Sequence, residues 1–344
     1  MEPVFAERLW GSKSLAPLFP EMHDLAPTIG EAWLTSVACR IVTGPFAGQT
    51  LEQGWKEMTV GWRGEKFCDE ADFPLLLKFI FPKDKLSIQV HPDDAYASRN
   101  EAAAGGRGKT EMWYVVSAEP GARLLAGLKP GVTKENFLEA MEGHTLEELF
   151  ASYEVRTGDA FFLPAGMPHT IGAGMVIFEV QQYSDLTYRV YDYDRRDANG
   201  KPRPLHIEKA LEVMNFKSNT LAKVTPHELH AGDHKIVEEL VSCPYFSTWK
   251  WEFEKPAHMN DQSPKEEFSL WVFLEGEGTI GWSSPQQGMT GTTPGGEFSY
   301  RAGECWFIPA EFSSNGYYPK KKTILMQAIP RNPDVISEKN RYGQ

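Results

Sequence analysis

The sequence has no C-x-x-C pair, and its four cysteines, Cys39, Cys68, Cys243 and Cys305, stand far apart in 344 residues. Such spacing argues against a disulfide framework or a cysteine-bound zinc and fits reduced thiols in a cytoplasm. A basic excess is also missing. The formal net charge is −12, whereas a nucleic-acid backbone needs a basic face, so nucleic acid is not an expected partner. The same charge leaves room for a small anionic substrate, which needs only a local basic patch. No apolar run approaches membrane-spanning length, and Met1 to Arg8 offer no basic stretch leading into a long apolar one. Neither a membrane span nor a signal peptide is therefore expected.

With 41% hydrophobic and 24% charged residues, the composition is that of an ordinary globular protein. A length of 344 residues exceeds what one core usually serves, so two domains, or one with insertions, are expected.

The most informative stretch is Leu86-Ser87-Ile88-Gln89-Val90-His91-Pro92-Asp93-Asp94. Successive side chains of a strand point to opposite faces, so Ser87, Gln89 and His91 share one face and Leu86, Ile88 and Val90 the other. Pro92 ends the strand, because it has no N–H for a ladder. Oxygen and nitrogen donors along one face, ending in a histidine, suit a metal site inside a barrel; an edge strand with one solvated face gives the same alternation. Further along, Lys109-Thr110-Glu111-Met112-Trp113-Tyr114-Val115-Val116 reads as a strand with Glu111 and Trp113 on one face. A carboxylate facing inward there needs a cation, which a metal or Lys109 would supply. The bend Pro164-Ala165-Gly166-Met167-Pro168 then delivers His169.

Other segments set the frame. A strand-like pattern is expected from Trp33 to Val42, and short strands continue to His91. Residues 95–110 read as a loop. Thr133 caps a short helix carrying Phe137, Leu138 and Met141, and Thr145-Leu146-Glu147-Glu148 has the form of a capping box for a second. One amphipathic helix is expected from about Leu205 to Met214.

An internal repeat is visible. Gly158-Asp159-Ala160-Phe161-Phe162-Leu163-Pro164-Ala165 matches Gly303-Glu304-Cys305-Trp306-Phe307-Ile308-Pro309-Ala310, and Trp113-Tyr114-Val115-Val116 matches Trp271-Val272-Phe273-Leu274. The expected organisation is a metal-binding β-domain over residues 1–200 with a helical insertion at about 133–150, a connecting helix and linker over 201–235, and a second β-domain over 236–344. In the repeat, Glu111 falls opposite Ser269 and His169 opposite Ser314. The second copy keeps the frame without the candidate ligands. Two imidazoles, one carboxylate and the Gln89 amide suit zinc or another divalent first-row metal with an open position.

These motifs, together with Leu9-Trp10-Gly11, Gly30-Glu31-Ala32-Trp33, Ile177-Phe178-Glu179, Ser184-Asp185 and Arg189, resemble the type I mannose-6-phosphate isomerases over most of the chain. The resemblance implies a mainly β fold of two cupin-like, jelly-roll barrels, one Zn2+ per chain, and interconversion of mannose 6-phosphate and fructose 6-phosphate through an enediol. It implies Gln89, His91, Glu111 and His169 as metal ligands, Arg189, Lys109 and Glu179 as catalytic residues, and Ser87 and Asp185 as substrate contacts. Residues Val190 to Arg195 follow the style of the short bacterial members, which leaves Arg195, Arg196 and Lys201 as candidates for the phosphate. Within the role set, Arg189 would stabilise the enediolate and Lys109 or Glu179 would move protons, with the base left open. A cupin oxygenase using iron and a non-catalytic sugar-phosphate-binding cupin are the alternatives.

Overall fold

The computed structural model describes residues 1–197, 199–217, 221–232, 234–255, 266–283, 296–311 and 313–333. Alternating apolar and polar residues form four antiparallel sheets in two pairs. A six-stranded sheet runs in the order Val4–Ser12, Ile29–Trp33, Leu75–Ile80, Met175–Gln182, Glu111–Ala118, Ala160–Leu163. It faces a five-stranded sheet ordered Tyr188–Tyr191, Ile88–Val90, His169–Ile171, Arg123–Leu128, Phe150–Glu154. The second pair has six strands, His227–Gly232, Lys235–Ser242, Phe246–Phe253, Thr323–Pro330, Ser269–Glu275 and Cys305–Ile308, and three, Gly296–Arg301, Glu277–Ser283 and Ser313–Pro319. The result is the expected mainly β, cupin-like architecture.

The repeat is carried into the register. Trp113 pairs with Phe161, and at the equivalent place Trp271 pairs with Trp306. Alternation then explains the packing. From the first six-stranded sheet, Leu75, Leu77, Phe79, Met112, Tyr114, Phe178 and Val180 join Phe268, Leu270, Val272, Met326 and Ala328 of the second in one core between the barrels. The opposite faces of the same strands carry Ile80, Trp113 and Ile177 into the first barrel's interior. Both faces of the central strands Leu75–Ile80 and Met175–Gln182 are thus buried, and the inward face is where polar residues must find partners.

The helices lie outside. Lys134–Glu142 begins with the capping box expected at Thr133, where Asn136 N donates to Thr133 Oγ1 at 3.2 Å. Such a cap stabilises a helix by about 1 kcal/mol. Leu146–Leu149 forms only a 3-10 turn, and Thr145 makes no side-chain cap, so the expected second helix is a single turn. The helix near the end of the first barrel is Ile207–Val213, shorter than expected, and Leu205 is exposed. The pattern from Trp33 to Val42 does not continue as a strand; it breaks into turns and a bridge, and the helix Leu51–Glu57 follows, capped by Thr50 and Gln53. The expected loop at 95–110 begins inside the helix Asp94–Asn100, which Asp93 caps by accepting from Tyr96 N at 2.7 Å. The expected connector at 201–235 is also shorter, because His227–Gly232 already pairs with the second barrel. That strand is exposed along its whole length.

Candidate active site

The strand Ile88–Val90 pairs with His169–Ile171 on one side, Gln89 directly opposite His169, and with Tyr188–Tyr191 on the other, Gln89 opposite Arg189. Ile88 and Val90 turn outward beneath the helices, so the donors on the other face point into the barrel. Gly166, at φ 84°, makes the reversal in the Pro/Gly bend, and its N–H donates to His91 O at 2.8 Å, which ties the two histidine segments together.

Inside, Glu111 bridges the histidines. Its Oε1 lies 3.5 Å from His91 Nε2 and its Oε2 3.5 Å from His169 Nε2. All three side chains are nearly inaccessible to solvent. His91 Nδ1 lies 2.7 Å from Leu186 O and His169 Nδ1 2.9 Å from Met167 O. With each Nδ1–H donating to a carbonyl, each Nε2 keeps its lone pair toward Glu111. Burial, and then the Lys109 ammonium, push His91 well below its ordinary pKa; burial likewise lowers His169. Both rings are neutral and ready to ligate. His91 Nε2 and Glu111 Oε2 are buried without hydrogen-bond partners, an expense that a cation at this point would relieve. The three residues form a group able to hold a metal ion.

Gln89 adjoins them with its amide nitrogen 3.4 Å from His169 Nε2, while its Oε1 accepts from Ser87 Oγ at 3.4 Å. A half-turn of the amide would present oxygen to the metal, and the Ser87 hydroxyl could then accept instead of donate. Lys109 Nζ is 2.9 Å from Glu111 Oε1. Burial works against its charge, but the Glu111, Glu179 and Asp185 carboxylates outweigh that and raise its pKa. Burial would likewise raise Glu111, yet Lys109 and the imidazoles hold it at about 2.

Gln89 and Lys109, which touch this centre, line a cavity of about 420 Å3. Ser87, Gln89, Lys109, Glu179, Asp185 and Arg189, chosen from the sequence, all line it. Glu179 accepts from Trp113 Nε1 at 2.7 Å and lies 3.5 Å from Lys78 Nζ. Burial first, and the Glu111 charge second, push its pKa up to about 7. Asp185 is exposed at the rim, and Arg189 does not pair with it; Arg189 Nη1 donates to Pro204 O at 2.9 Å. Arg189 Nε is buried without a hydrogen-bond partner. Arg196 and Lys201 are exposed and Arg195 is turned to Asp192, so none of the three lines the cavity.

Arg8, Glu31, Lys78, Thr187, Arg203 and His206 also line the cavity and were not singled out as site residues from the sequence. Lys78 carried a signal, as the one charge in the run Phe73 to Phe81. Glu31, which accepts from Arg8 and from Trp33 Nε1, is held below the usual carboxylate range: burial opposes this, and Lys78 and Arg8 overcome it. Arg203 stood between Pro202 and Pro204 with no spacing to mark it.

No family model matches the chain. It is 36% identical over 296 residues to mannose-6-phosphate isomerase ManA of Bacillus subtilis (strain 168), spanning 81% of this chain and 86% of that one. It is 35% identical over 289 residues to the mannose-6-phosphate isomerase of Streptococcus mutans, spanning 81% and 87%. The crystal structure of the mannose 6-phosphate isomerase from Bacillus subtilis superposes with a TM-score of 0.80 at 29% identity, covering 94% of this chain and 97% of that one.

Proposed function

The chain belongs to the mannose-6-phosphate isomerase family, and from that premise we propose how its own residues carry the reaction. The enzyme interconverts mannose 6-phosphate and fructose 6-phosphate. The observation that carries the site assignment is the buried His91–Glu111–His169 group, with lone pairs on His91 and Glu111 that lack partners, joined through Lys109 to a cavity lined by cations and by Glu179, whose pKa is raised.

His91, Glu111 and His169 would hold one zinc ion, with Gln89 as the fourth protein ligand. Two neutral imidazoles and a carboxylate, with a position left open, are the donor set of a catalytic zinc site. A metal bound there would supply Lewis acidity to the sugar's oxygens.

The rest falls to side chains. The reaction moves a proton between adjacent carbons through an enediol, so it needs a base that works near neutral pH. Glu179, pushed up to about 7, meets that requirement better than Lys109, whose raised pKa keeps it charged. Glu179 takes the proton from one carbon and returns it to the other. Lys109 and Arg189 face the developing enediolate with positive charge. Trp113 fixes the Glu179 carboxylate by donating to Oε2. Ser87 and Asp185 orient the sugar hydroxyls, and the phosphate lies toward Arg189 and Arg203. Four free cysteines suit a reducing cytoplasm.

The test is a coupled assay for fructose 6-phosphate from mannose 6-phosphate on protein of measured metal content. Turnover should vanish with chelator and return with zinc in proportion to bound metal. Zinc-loaded, folded protein without turnover refutes the reading.

A further inference from the structure

The segment after Arg189 folds back along the cavity as a strap, and one buried carboxylate organises it. Asp192 is 5% exposed and does not itself line the cavity. It grips Arg203 with both oxygens, accepting from Nε on Oδ2 at 2.8 Å and from Nη2 on Oδ1. On its outer side Oδ1 also accepts from Arg195 Nη2 at 2.6 Å. Arg195 is turned away, donating through Nη1 to Lys85 O and through Nε to Asp192 O. Of the two arginines, only Arg203 reaches the cavity. The strap also carries the partners of Arg189: Pro204 O accepts from its Nη1, its N–H donates to His206 Nδ1 at 3.2 Å, and His206 N donates to its O at 2.7 Å.

We propose that Asp192 is a positioning residue that sets the enzyme's affinity for the phosphate group, by clamping the Arg203 fork so that its remaining nitrogen meets the phosphate beside Arg189. The proposal rests on the reading above that the phosphate lies at Arg189 and Arg203. Two physical arguments support it. A free arginine gives up rotamer entropy when it orders around a ligand, whereas a fork held bidentately by a buried carboxylate has already given it up. Burial first, and then the nearby Arg203 and Arg195 guanidinium groups, also work against the charge of Arg189, and Asp192 is the buried carboxylate that pairs with both of those neighbours. It lets them remain together before the phosphate arrives.

The experiment is steady-state kinetics on zinc-loaded enzyme, with inorganic phosphate as competitive probe. Asp192→Asn keeps the shape and removes the charge. Its KM for mannose 6-phosphate and the inhibition constant of phosphate should both rise at least about tenfold, kcat should fall far less, and bound zinc should not change. Arg203→Gln should do the same, and the double variant should be little worse than either single one, because both remove one interaction. Arg195→Gln loosens the strap without touching Arg203 and should leave KM near the wild-type value. Additive effects in the double variant, or an equal rise in Arg195→Gln, would mean Asp192 only braces the fold and would overturn the proposal. If Asp192→Asn does not fold, Arg203→Lys decides, since it keeps the charge and loses the fork: a raised KM supports the clamp and an unchanged KM sinks it. A wild-type enzyme that turns over while Asp192→Asn keeps its KM and phosphate inhibition defeats the clamp alone. A wild type without turnover defeats the underlying reading as well.

Discussion

In the first barrel Glu179 stands between Trp113 and Lys78 on its two neighbouring strands; at the same place in the second barrel Gln327 stands between Trp271 and Trp249. The strand order and register are repeated, but the inward side chains are not. The second barrel is filled with rings: Phe253 stacks on Tyr317 at 5.1 Å, and Phe273 on Tyr300 at 4.1 Å. Its Gln327 accepts from Trp251 Nε1 at 2.9 Å. The first barrel has Glu111, Lys109, Lys78 and Glu179 at its inward positions and a cavity in front of them. Aromatic packing closes one barrel, and charges that pair within the sheet keep the other open. The frame accepts either filling.

The comparison breaks most sharply at Glu111 and its counterpart Ser269. Glu111→Ala should lose bound zinc and all measurable turnover, read by metal analysis and the coupled assay. Ser269→Ala should leave both intact, because Ser269 Oγ is buried without a hydrogen-bond partner and its removal strands nothing. A Ser269→Ala protein with reduced zinc would mean that the second barrel supports the metal site.

Arg189→Ala comes next. It removes the cavity cation whose Nε has no hydrogen-bond partner, and kcat/KM should fall by roughly a hundredfold or more with zinc content unchanged. Loss of zinc along with activity would make its role structural.

Glu179→Gln makes the first barrel resemble the second at that position. Its kcat should drop by about a hundredfold or more, in line with the loss of a general base. A smaller effect, on stability, sharpens the same point in metal-free protein. Burial raises the Glu179 pKa from 4.5 to about 7 in the fold. The stability this contributes is fully present below pH 4.5 and is lost as pH rises through about 7, because the folded protein then holds an ionised buried carboxylate. Denaturant unfolding of the wild type between those two values should therefore show a loss with rising pH that Glu179→Gln does not share. Parallel curves would place the ionisation on another group.

Much of this site was legible without coordinates. Ser87, Gln89 and His91 share a face because strand alternation is written in consecutive residues, and Glu111 with Trp113 follows the same rule. The repeat marked His169 and Glu111 as dispensable to the frame, and the Pro/Gly bend marked where His169 would be delivered. The two-turn helix Leu51–Glu57 escaped notice because seven residues, with Gly54 among them, carry too little of a 3.6-residue period.

What the chain alone determined is which residues look inward from each strand, since that depends only on neighbours in sequence. What the tertiary structure decided is which inward residues meet. Lys78 faces Glu179 across a strand pair about a hundred residues apart in sequence, and Arg203, held by Asp192, reaches the cavity. Those meetings follow from the order in which strands bury their apolar faces, here fixed by the core shared between the two barrels. No local period encodes that order.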